Sequence, residues 1–136
     1  MTDKRVLTSP SSKLLGTQST EFDRESGVAT MHFDVPQSFA SPRGFVQGGL
    51  IGGFLDEIMG AAVFGESQGK LLPLNLDMNM SYLKPVPIGP LVAKGKVVKM
   101  GRNVAFIEGE LLDAEGNSLT RATTTAMLTE IPDGQV

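Results

Sequence analysis

The sequence contains no cysteine and no tryptophan, and its only histidine is His32. Without cysteine the chain can form neither disulfides nor thiolate metal sites, and it has no thiol nucleophile. One histidine cannot supply the several imidazole ligands of a multi-histidine metal centre. We therefore expect no metal site built on cysteine or on several histidines.

The sequence has no excess of positive charge. It contains 12 lysines and arginines and 15 acidic residues, and its net charge is −3. Nucleic-acid binding requires a basic face, so it is not expected. Residues 1–13 contain no apolar core of signal-peptide length, which predicts a cytoplasmic protein. The apolar segment 46–60 is interrupted by Asp56 and Glu57. Its uninterrupted runs are shorter than the roughly 20 residues that cross a bilayer, so no membrane span is predicted.

The length of 136 residues, 40% of them hydrophobic, suits one domain with a substantial core. We expect that domain at residues 13–130, with a flexible segment at 1–12 and a polar tail at 131–136. Turn signals and apolar–polar alternation predict one helix, at 48–64. They predict six strands, at 13–22, 27–35, 74–82, 91–99, 103–113 and 118–129.

The predicted helix is apolar on nearly all sides, which is typical of a buried helix. Short connections at 100–103 and 113–117 favour antiparallel hairpins. The sequence therefore predicts an α+β domain in which a curved antiparallel sheet of about six strands wraps around one long helix.

The clearest alternation lies in the segment LNLDMNMSY at 74–82. It predicts a half-buried strand. The residues predicted to face the core are Leu74, Leu76, Met78, Met80 and Tyr82. The residues predicted to face solvent are Asn75, Asp77, Asn79 and Ser81. In the strand at 27–35, the same alternation places His32 on the surface.

The sequence GESQG at 65–69 matches the G-x-S-x-G pattern of serine hydrolases. That chemistry requires a strand-to-helix turn and a histidine further along the chain. Here the motif follows a predicted helix, and no histidine occurs after His32. We interpret it as a helix-terminating loop.

Glycines repeat along one face of the predicted helix. The residues on this face are Gly49, Gly52, Gly53, Asp56 and Gly60. Glu57 lies about 100° away around the axis, and a structural role is expected for it, as a salt bridge or a surface contact. The glycine face has two interpretations: close packing against the sheet or a second subunit, or a site where a slender ligand approaches Asp56.

The start of the helix offers a second polar feature. Gly48 and Gly49 expose backbone N–H groups that have no intrahelical acceptor, at the positive end of the helix dipole. Gly48 and Asp56 are eight residues apart, or about 12 Å along the axis. If both act on one carbonyl group, they must come from different copies of the helix, as in a two-fold dimer with antiparallel helices.

The spacing G-x-x-x-G-G-x-x-x-x-x-x-D, from Gly44 through Gly48 and Gly49 to Asp56, resembles the hotdog-fold acyl-CoA thioesterases. The closest likeness is to the phenylacetic-acid-degradation branch, related to the hydroxybenzoyl-CoA thioesterases. The runs at 77–85 and 101–106 also resemble that branch in order and spacing. The resemblance covers residues 13–129.

The resemblance implies a hotdog fold, assembled as a homodimer or a dimer of dimers, that hydrolyses a coenzyme A thioester at the dimer interface. By position, Asp56 matches the catalytic carboxylate, as nucleophile or general base. The N–H of Gly48 matches the oxyanion donor. Gln47 stands where many relatives have histidine, and its implied role is to orient the carbonyl. Asn75, contributed by the partner chain, matches a position that places water or substrate.

The resemblance further implies contacts with the acyl-CoA substrate. The matching positions are Ser41, Gly49, Lys84, Lys99, Gly101, Arg102 and Asn103. Of these, the cationic side chains are suited to phosphates, and Ser41 stands where some relatives have an active-site asparagine. Coenzyme A is part of the substrate, so no separate cofactor is implied.

Two other functions stay open at this point. One is a non-catalytic module that binds or senses acyl-CoA on the same fold. The other is a hotdog hydratase or dehydratase, an activity that typically pairs a histidine with an acid. The predicted surface position of His32 makes the second function the weaker alternative.

Overall fold

The computed structural model describes residues 9–131, so the predictions for residues 1–8 and 132–136 lie outside it. Residues 9–131 contain two helices, α1 at Pro10–Leu15 and α2 at Gly48–Glu66, with a short 3-10 turn at Gln37–Phe39. The six strands are β1 at Thr17–Asp23, β2 at Val28–Val35, β3 at Leu71–Tyr82, β4 at Gly89–Met100, β5 at Val104–Asp113 and β6 at Ser118–Glu130.

The strands form one antiparallel sheet in the order β1-β2-β4-β5-β6-β3, and α2 packs against β2, β3, β4 and β5. Strands β1 and β3 are its edges. The predicted α+β architecture, with a long helix and a sheet of six antiparallel strands, is confirmed. The predicted hairpins between β4 and β5 and between β5 and β6 are present as well.

Helix α2 supplies the centre of the core. Phe54, Leu55 and Ile58 are fully buried, and the ring of Phe54 meets Phe33 of β2 edge-to-face at a centroid distance of 5.0 Å. By length and composition α2 could cross a membrane, but 56% of its apolar window is buried inside the fold. It is the core helix, apolar because the sheet surrounds it.

The predicted strand at 13–22 begins too early. Helix α1 extends to Leu15, and strand β1 starts at Thr17. Ser9 caps α1 through its side chain, Pro10 stands in the first turn, and Gly16 ends the helix in the left-handed conformation with φ 79°. These residues are the usual start and stop signals of a helix. They override the strand propensity of the residues between them.

Strand β3 is confirmed, but its predicted alternation is only partly correct. The pairing of β3 with β6 shifts register between Asn75 and Asp77, so the side-chain alternation changes face there. Leu74 and Leu76, predicted to be buried, are each 59% exposed. Asn75, predicted to face solvent, turns toward α2. An irregularity of this kind depends on the neighbouring strand, so the periodicity of β3 alone does not reveal it.

The G-x-S-x-G segment ends α2, as the sequence predicts. Ser67 is the C-cap residue, and its hydroxyl donates to the carbonyl of Phe64 at 3.2 Å and accepts from the N–H of Leu71 at 3.0 Å. Gln68 and Gly69 both have positive φ, 57° and 81°. The serine is engaged in a turn that joins α2 to β3.

Candidate active site

Helix α2 begins with a side-chain cap. The Oε1 of Gln47 accepts a hydrogen bond from the N–H of Leu50 at 3.0 Å. A Cβ at position 49 would stand 2.9 Å from that oxygen, so Gly49 leaves the room that the cap requires. Gln47 therefore fixes the start of the helix. Its amide oxygen is bound to the helix itself, and its Nε2 group is the part of the side chain that can donate to a carbonyl.

Gly48 is the first residue of α2, and a Cβ built there would meet nothing within 4 Å. The N–H groups of a first helical turn have no acceptor within the helix, and they lie at its positive end. The hydroxyl of Tyr82, at the end of β3, donates to the carbonyl of Gly48 at 3.2 Å. Gly48 is exposed and has no side chain, so an acceptor from outside the chain can approach its N–H. Tyr82 binds the next peptide group, between Gly48 and Gly49, through the carbonyl of Gly48.

The glycine face divides into two neighbouring lines of residues four apart. The line that faces β3 contains Gly48, Gly52, Asp56 and Gly60. A Cβ at position 52 would stand 3.4 Å from both Met78 Cε and Met80 Sδ. Strand β3 therefore runs antiparallel to α2, from Asn75 beside Asp56 to Tyr82 beside Gly48.

Asp56 and Asn75 form the polar contact of this line. The Nδ2 of Asn75 donates to Oδ1 of Asp56 at 2.5 Å, and both side chains are exposed. The resemblance assigns Asn75 to the partner chain, whereas the asparagine that reaches Asp56 here belongs to the same chain. An exposed carboxylate in the middle of an apolar helix, oriented by an amide, is able to accept a proton or attack a carbonyl.

The second line contains Gly49, Gly53 and Glu57, and it faces the N-terminal elements. A Cβ at position 53 would stand 3.2 Å from Leu15 Cδ2 of α1. Oε1 of Glu57 accepts hydrogen bonds from the hydroxyls of Ser12 and Thr17, the latter at 3.3 Å. Gly53 thus shares the side of Glu57 rather than that of Asp56.

Glu57 has a structural role, but not as the salt bridge or surface contact that was expected. Its partners are two hydroxyl groups, and its side chain is partly buried. Burial raises the pKa of this carboxyl above its usual value, while the hydrogen bonds from Ser12 and Thr17 oppose the shift. Its Oε2 is buried without a hydrogen-bond partner. The two adjacent acids therefore have different environments, and only Asp56 is exposed to a ligand.

The residues that the resemblance assigns to coenzyme A lie at two ends of the molecule. Ser41, Gly49 and Lys84 lie at or near the start of α2, and Ser41 and Lys84 line one cavity. The exposed turn between β4 and β5 holds the others: Gly101, Arg102 and Asn103, with Lys99 just before it. Thr120 of β6 pairs with Tyr82, and Met127 pairs with Val104. Thr120 and Met127 are seven residues apart on β6, so the two ends are separated by about 23 Å.

His32 is exposed on β2, as predicted, so the chain's only histidine does not lie beside Asp56. Within residues 9–131, no group of three or more histidine or acidic residues has the arrangement of a metal site. The arrangement therefore lacks the histidine–acid pair on which the hydratase alternative depends.

Sequence reasoning did not identify two features of the site. Tyr82 was expected only as a core residue, yet it is 56% exposed and contacts the backbone of Gly48. Arg43 was not considered, although it lines the same cavity as Lys84. The sequence SPRG at 41–44 signals a turn, but only the folded chain brings that turn next to the end of β3.

Comparison with known proteins identifies the family. The thioesterase superfamily profile matches residues 43–120, which is more than half of the chain. An esterase-named protein of Saccharolobus solfataricus is 27% identical over 92 residues. That match covers 68% of this chain and 65% of the relative, so the chain spans slightly less than two thirds of this relative's length.

Solved structures agree with the profile. A protein of Ralstonia eutropha JMP134, described as a phenylacetic acid degradation-related thioesterase, is 30% identical with a TM-score of 0.76. That match covers 88% of this chain and 90% of the other. A thioesterase structure from Streptococcus pneumoniae TIGR4, solved with coenzyme A, is 26% identical with a TM-score of 0.72, covering 82% and 84%. With the hotdog architecture and the profile match, these similarities show that the chain belongs to the thioesterase superfamily.

Proposed function

We propose that the protein hydrolyses acyl-CoA thioesters to the free acid and coenzyme A. The observation that carries this proposal is the exposed carboxylate of Asp56 in the line of glycines on α2, oriented by Asn75 at 2.5 Å. The family and the coenzyme A in the pneumococcal relative support the substrate class. A cytoplasmic location is part of the proposal.

The chemistry divides between two groups. The N–H of Gly48, aided by the positive end of α2, donates to the thioester oxygen and stabilises the negative charge that develops there. Asp56 takes a proton from water as the water oxygen bonds to the carbonyl carbon, and the C–S bond then breaks. The proton passes from Asp56 to the departing thiolate. In the nucleophilic variant, Asp56 bonds to the carbonyl carbon and the C–S bond breaks, which releases the thiolate and leaves a mixed anhydride. Water then cleaves the anhydride to the free acid, restores the Asp56 carboxylate and supplies the proton that the thiolate takes up.

Each chain contributes one half of two sites. Gly48 and Asp56 of one chain are about 12 Å apart along α2, too far to act on the same carbonyl. In a two-fold dimer with antiparallel α2 helices, Asp56 of one chain lies opposite Gly48 of its partner. The edge position of β3 leaves a strand available at this interface.

The proposal is tested by measuring thiol release from a panel of acyl-CoA and aryl-CoA thioesters. We expect hydrolysis by the unmodified protein and a loss of about 10²–10⁴-fold in kcat for Asp56→Asn, the usual contribution of an acid–base group. Asp34→Asn, at an exposed carboxylate on β2, is the matched control. Binding of coenzyme A thioesters without hydrolysis of any member of the panel would favour a non-catalytic binding module instead.

A further inference from the structure

Strand β3 has one residue more than β6 just after Asn75, at the level of the candidate active site. Two pairs of residues that face α2 flank this position: Asn75 with Ala126, and Met78 with Thr124. Between these pairs β3 has Leu76 and Asp77, whereas β6 has only Thr125. Leu76 is the residue without a partner in this register. The register shift is therefore a β-bulge, a feature that often re-aims a side chain next to an active site.

The bulge decides which side chains of β3 face α2. Without it, the alternation of residues 78–82 would extend back along the strand, with Leu74 and Leu76 turned to α2 and Asn75 to solvent. In the structure Leu74 and Leu76 are each 59% exposed, and Asn75 reaches Oδ1 of Asp56. Burial of a leucine side chain normally stabilises a fold. The exposure of two leucines is thus a cost of the bulge that other contacts must offset.

The side chain of Thr124, on β6, makes the first of these contacts. Its hydroxyl donates to the backbone carbonyl of Asp77 at 2.5 Å. The carbonyl of Thr125 is farther from it, at 3.5 Å, so the single hydroxyl proton is directed to Asp77. Thr124 is only 3% exposed, so water has little access to this bond. A buried hydroxyl of β6 therefore holds the carbonyl at the bulge.

The side chain of Asp77 makes the second contact. Its Oδ1 accepts a hydrogen bond from the backbone N–H of Thr125 at 3.1 Å. A bulge interrupts the ladder between two strands, and a backbone group left without its ladder partner needs another one. In each of the two bonds a side chain of one strand binds the backbone of the other. The bulge is therefore held from both strands.

Thr120 provides a comparison on the same strand and the same face. It is fully buried, and among the described residues its hydroxyl has no hydrogen-bond partner. Thr120 and Thr124 lie four residues apart, so both side chains point to the same side of the sheet. A threonine-to-valine substitution keeps the branched shape of the side chain at both positions. It breaks a contact with β3 at Thr124 and no hydrogen bond at Thr120.

We propose that Thr124 and Asp77 are positioning residues for the reaction, because the bulge that they hold places Asn75 beside Asp56. This inference rests on the proposed function, since Asp56 is the carboxylate proposed to react. When either contact is lost, β3 returns toward regular alternation, which turns Asn75 away from α2. Asp56 then loses the amide that orients it. Because the two residues act through Asn75, their loss should lower turnover and leave substrate binding nearly unchanged.

The test is steady-state kinetics on an acyl-CoA that the parent protein hydrolyses. We expect Thr124→Val to lower kcat about tenfold with little change in KM, as for loss of the Asn75 hydrogen bond itself. Thr124→Ser keeps the hydroxyl and should retain most of the activity. Thr120→Val is the matched control and should have the kcat of the parent. Equal kcat values for Thr124→Val and Thr120→Val, or a loss confined to KM, would overturn the assignment.

A double variant separates positioning from general damage to the sheet. If Thr124 acts through Asn75, adding Thr124→Val to a chain that already carries Asn75→Ala should lower kcat no further. Losses that multiply in the double variant would show that Thr124 acts independently of Asn75, against the proposal.

Asp77 allows the same comparison at an exposed position, which decides the question if Thr124→Val does not fold. Asp77→Ala should lower kcat in the parent but not in a chain that carries Asn75→Ala. Asp77→Asn keeps an oxygen that can accept from the N–H of Thr125, so it should retain most of the activity. An unchanged kcat in Asp77→Ala would overturn the role of Asp77.

Failure of the proposed function has a different signature. If the parent protein hydrolyses no thioester, the proposed activity is wrong, and the position of Asn75 is then read from its side-chain amide resonance in isotope-labelled protein. Asp56→Asn should shift this resonance in the parent, because the acceptor of the amide loses its charge. The shift should persist in a Thr120→Val background and nearly vanish in a Thr124→Val background. An equal shift in all three backgrounds would refute the positioning role.

Discussion

Asn75 of the edge strand β3 donates a hydrogen bond to Asp56 of the central helix, with 2.5 Å between Nδ2 and Oδ1. The contact depends on the register shift between Asn75 and Asp77, because that irregularity lets Asn75 face α2 together with Met78, Met80 and Tyr82 further along β3. The orientation of the proposed catalytic carboxylate is therefore set by the pairing of β3 with β6.

Replacing Asn75 with alanine should reduce turnover rather than substrate binding. We expect kcat to fall about tenfold, the cost of losing a hydrogen bond to a charged group of roughly 1.5 kcal/mol, while KM changes little. Steady-state kinetics on acyl-CoA provide the measurement. Asn79→Ala, at an exposed amide on the same strand, is the control. An unchanged kcat in Asn75→Ala would remove Asn75 from the mechanism.

Gly48→Pro should remove the proposed oxyanion donor without breaking α2. Proline is tolerated at the first position of a helix, and the preceding residue Gln47 already has extended ψ, 133°. We expect kcat to fall about 10²–10³-fold, as for other lost oxyanion donors. Gly48→Ala keeps the N–H and should remain active, since a Cβ there meets no atom. Similar activity in the two variants would contradict the role of this N–H.

The sharing of sites between chains can be tested by complementation. A heterodimer of a Gly48→Pro chain and an Asp56→Asn chain contains one site with both defects and one intact site, if each site takes its two groups from different chains. Co-expressed, differently tagged chains should then regain activity that neither homodimer has. If a purified heterodimer is as inactive as the homodimers, both groups act within one chain.

Glu57→Gln should stabilise the fold at neutral pH. Burial is the largest cause that raises the pKa of Glu57 above its usual value of 4.5. The folded state then binds more protons than the unfolded state, so the stability linked to this group is present at low pH. It is lost as the pH rises from about 4.5 through the folded-state pKa. Glutamine removes this loss and can still accept from Ser12 and Thr17.

The measurement is thermal unfolding of Glu57→Gln and the parent protein between pH 4 and pH 8. The variant should have the higher Tm near pH 8, and the difference should shrink as the pH falls toward 4.5. Glu66→Gln, at an exposed acid at the end of the same helix, should show no comparable change with pH. A difference that is constant across this range would contradict the linkage to Glu57.

Replacing either of two glycines of α2 with alanine should change the free energy of unfolding, but in opposite directions. A Cβ at Gly65 would overlap the ring of Phe22, so Gly65→Ala should cost about 1–3 kcal/mol of stability, as in other overpacked cores. At Gly60 the nearest atom to an added Cβ is Pro73 Cγ at 4.0 Å, so Gly60→Ala should gain up to about 1 kcal/mol from helix propensity. Urea unfolding measures both. Equal effects would show that packing does not distinguish these positions.

The long elements were predictable because their signals are local. The apolar helix and five of the six strands lie within a few residues of their predicted bounds, and Ser67 ends α2 as its glycine-flanked turn suggests. Helix α1 was missed although Pro10 and Gly16 mark its ends. The burial of Leu74 and Leu76 was mispredicted because the register shift in β3 is a property of two strands together.

The sequence by itself determined the buried helix, the antiparallel hairpins and the spacing of Gly48 and Asp56 on one line of α2, since chain periodicity and helix geometry require nothing beyond neighbouring residues. Only the tertiary structure decided which side chains surround those positions. Asn75 reaches Asp56, Tyr82 reaches Gly48, and Arg43 and Lys84 line one cavity, because strand pairing and loop anchoring bring together residues that are distant in sequence. Long-range contacts of this kind leave no periodic trace in the sequence, so they could not have been predicted from it.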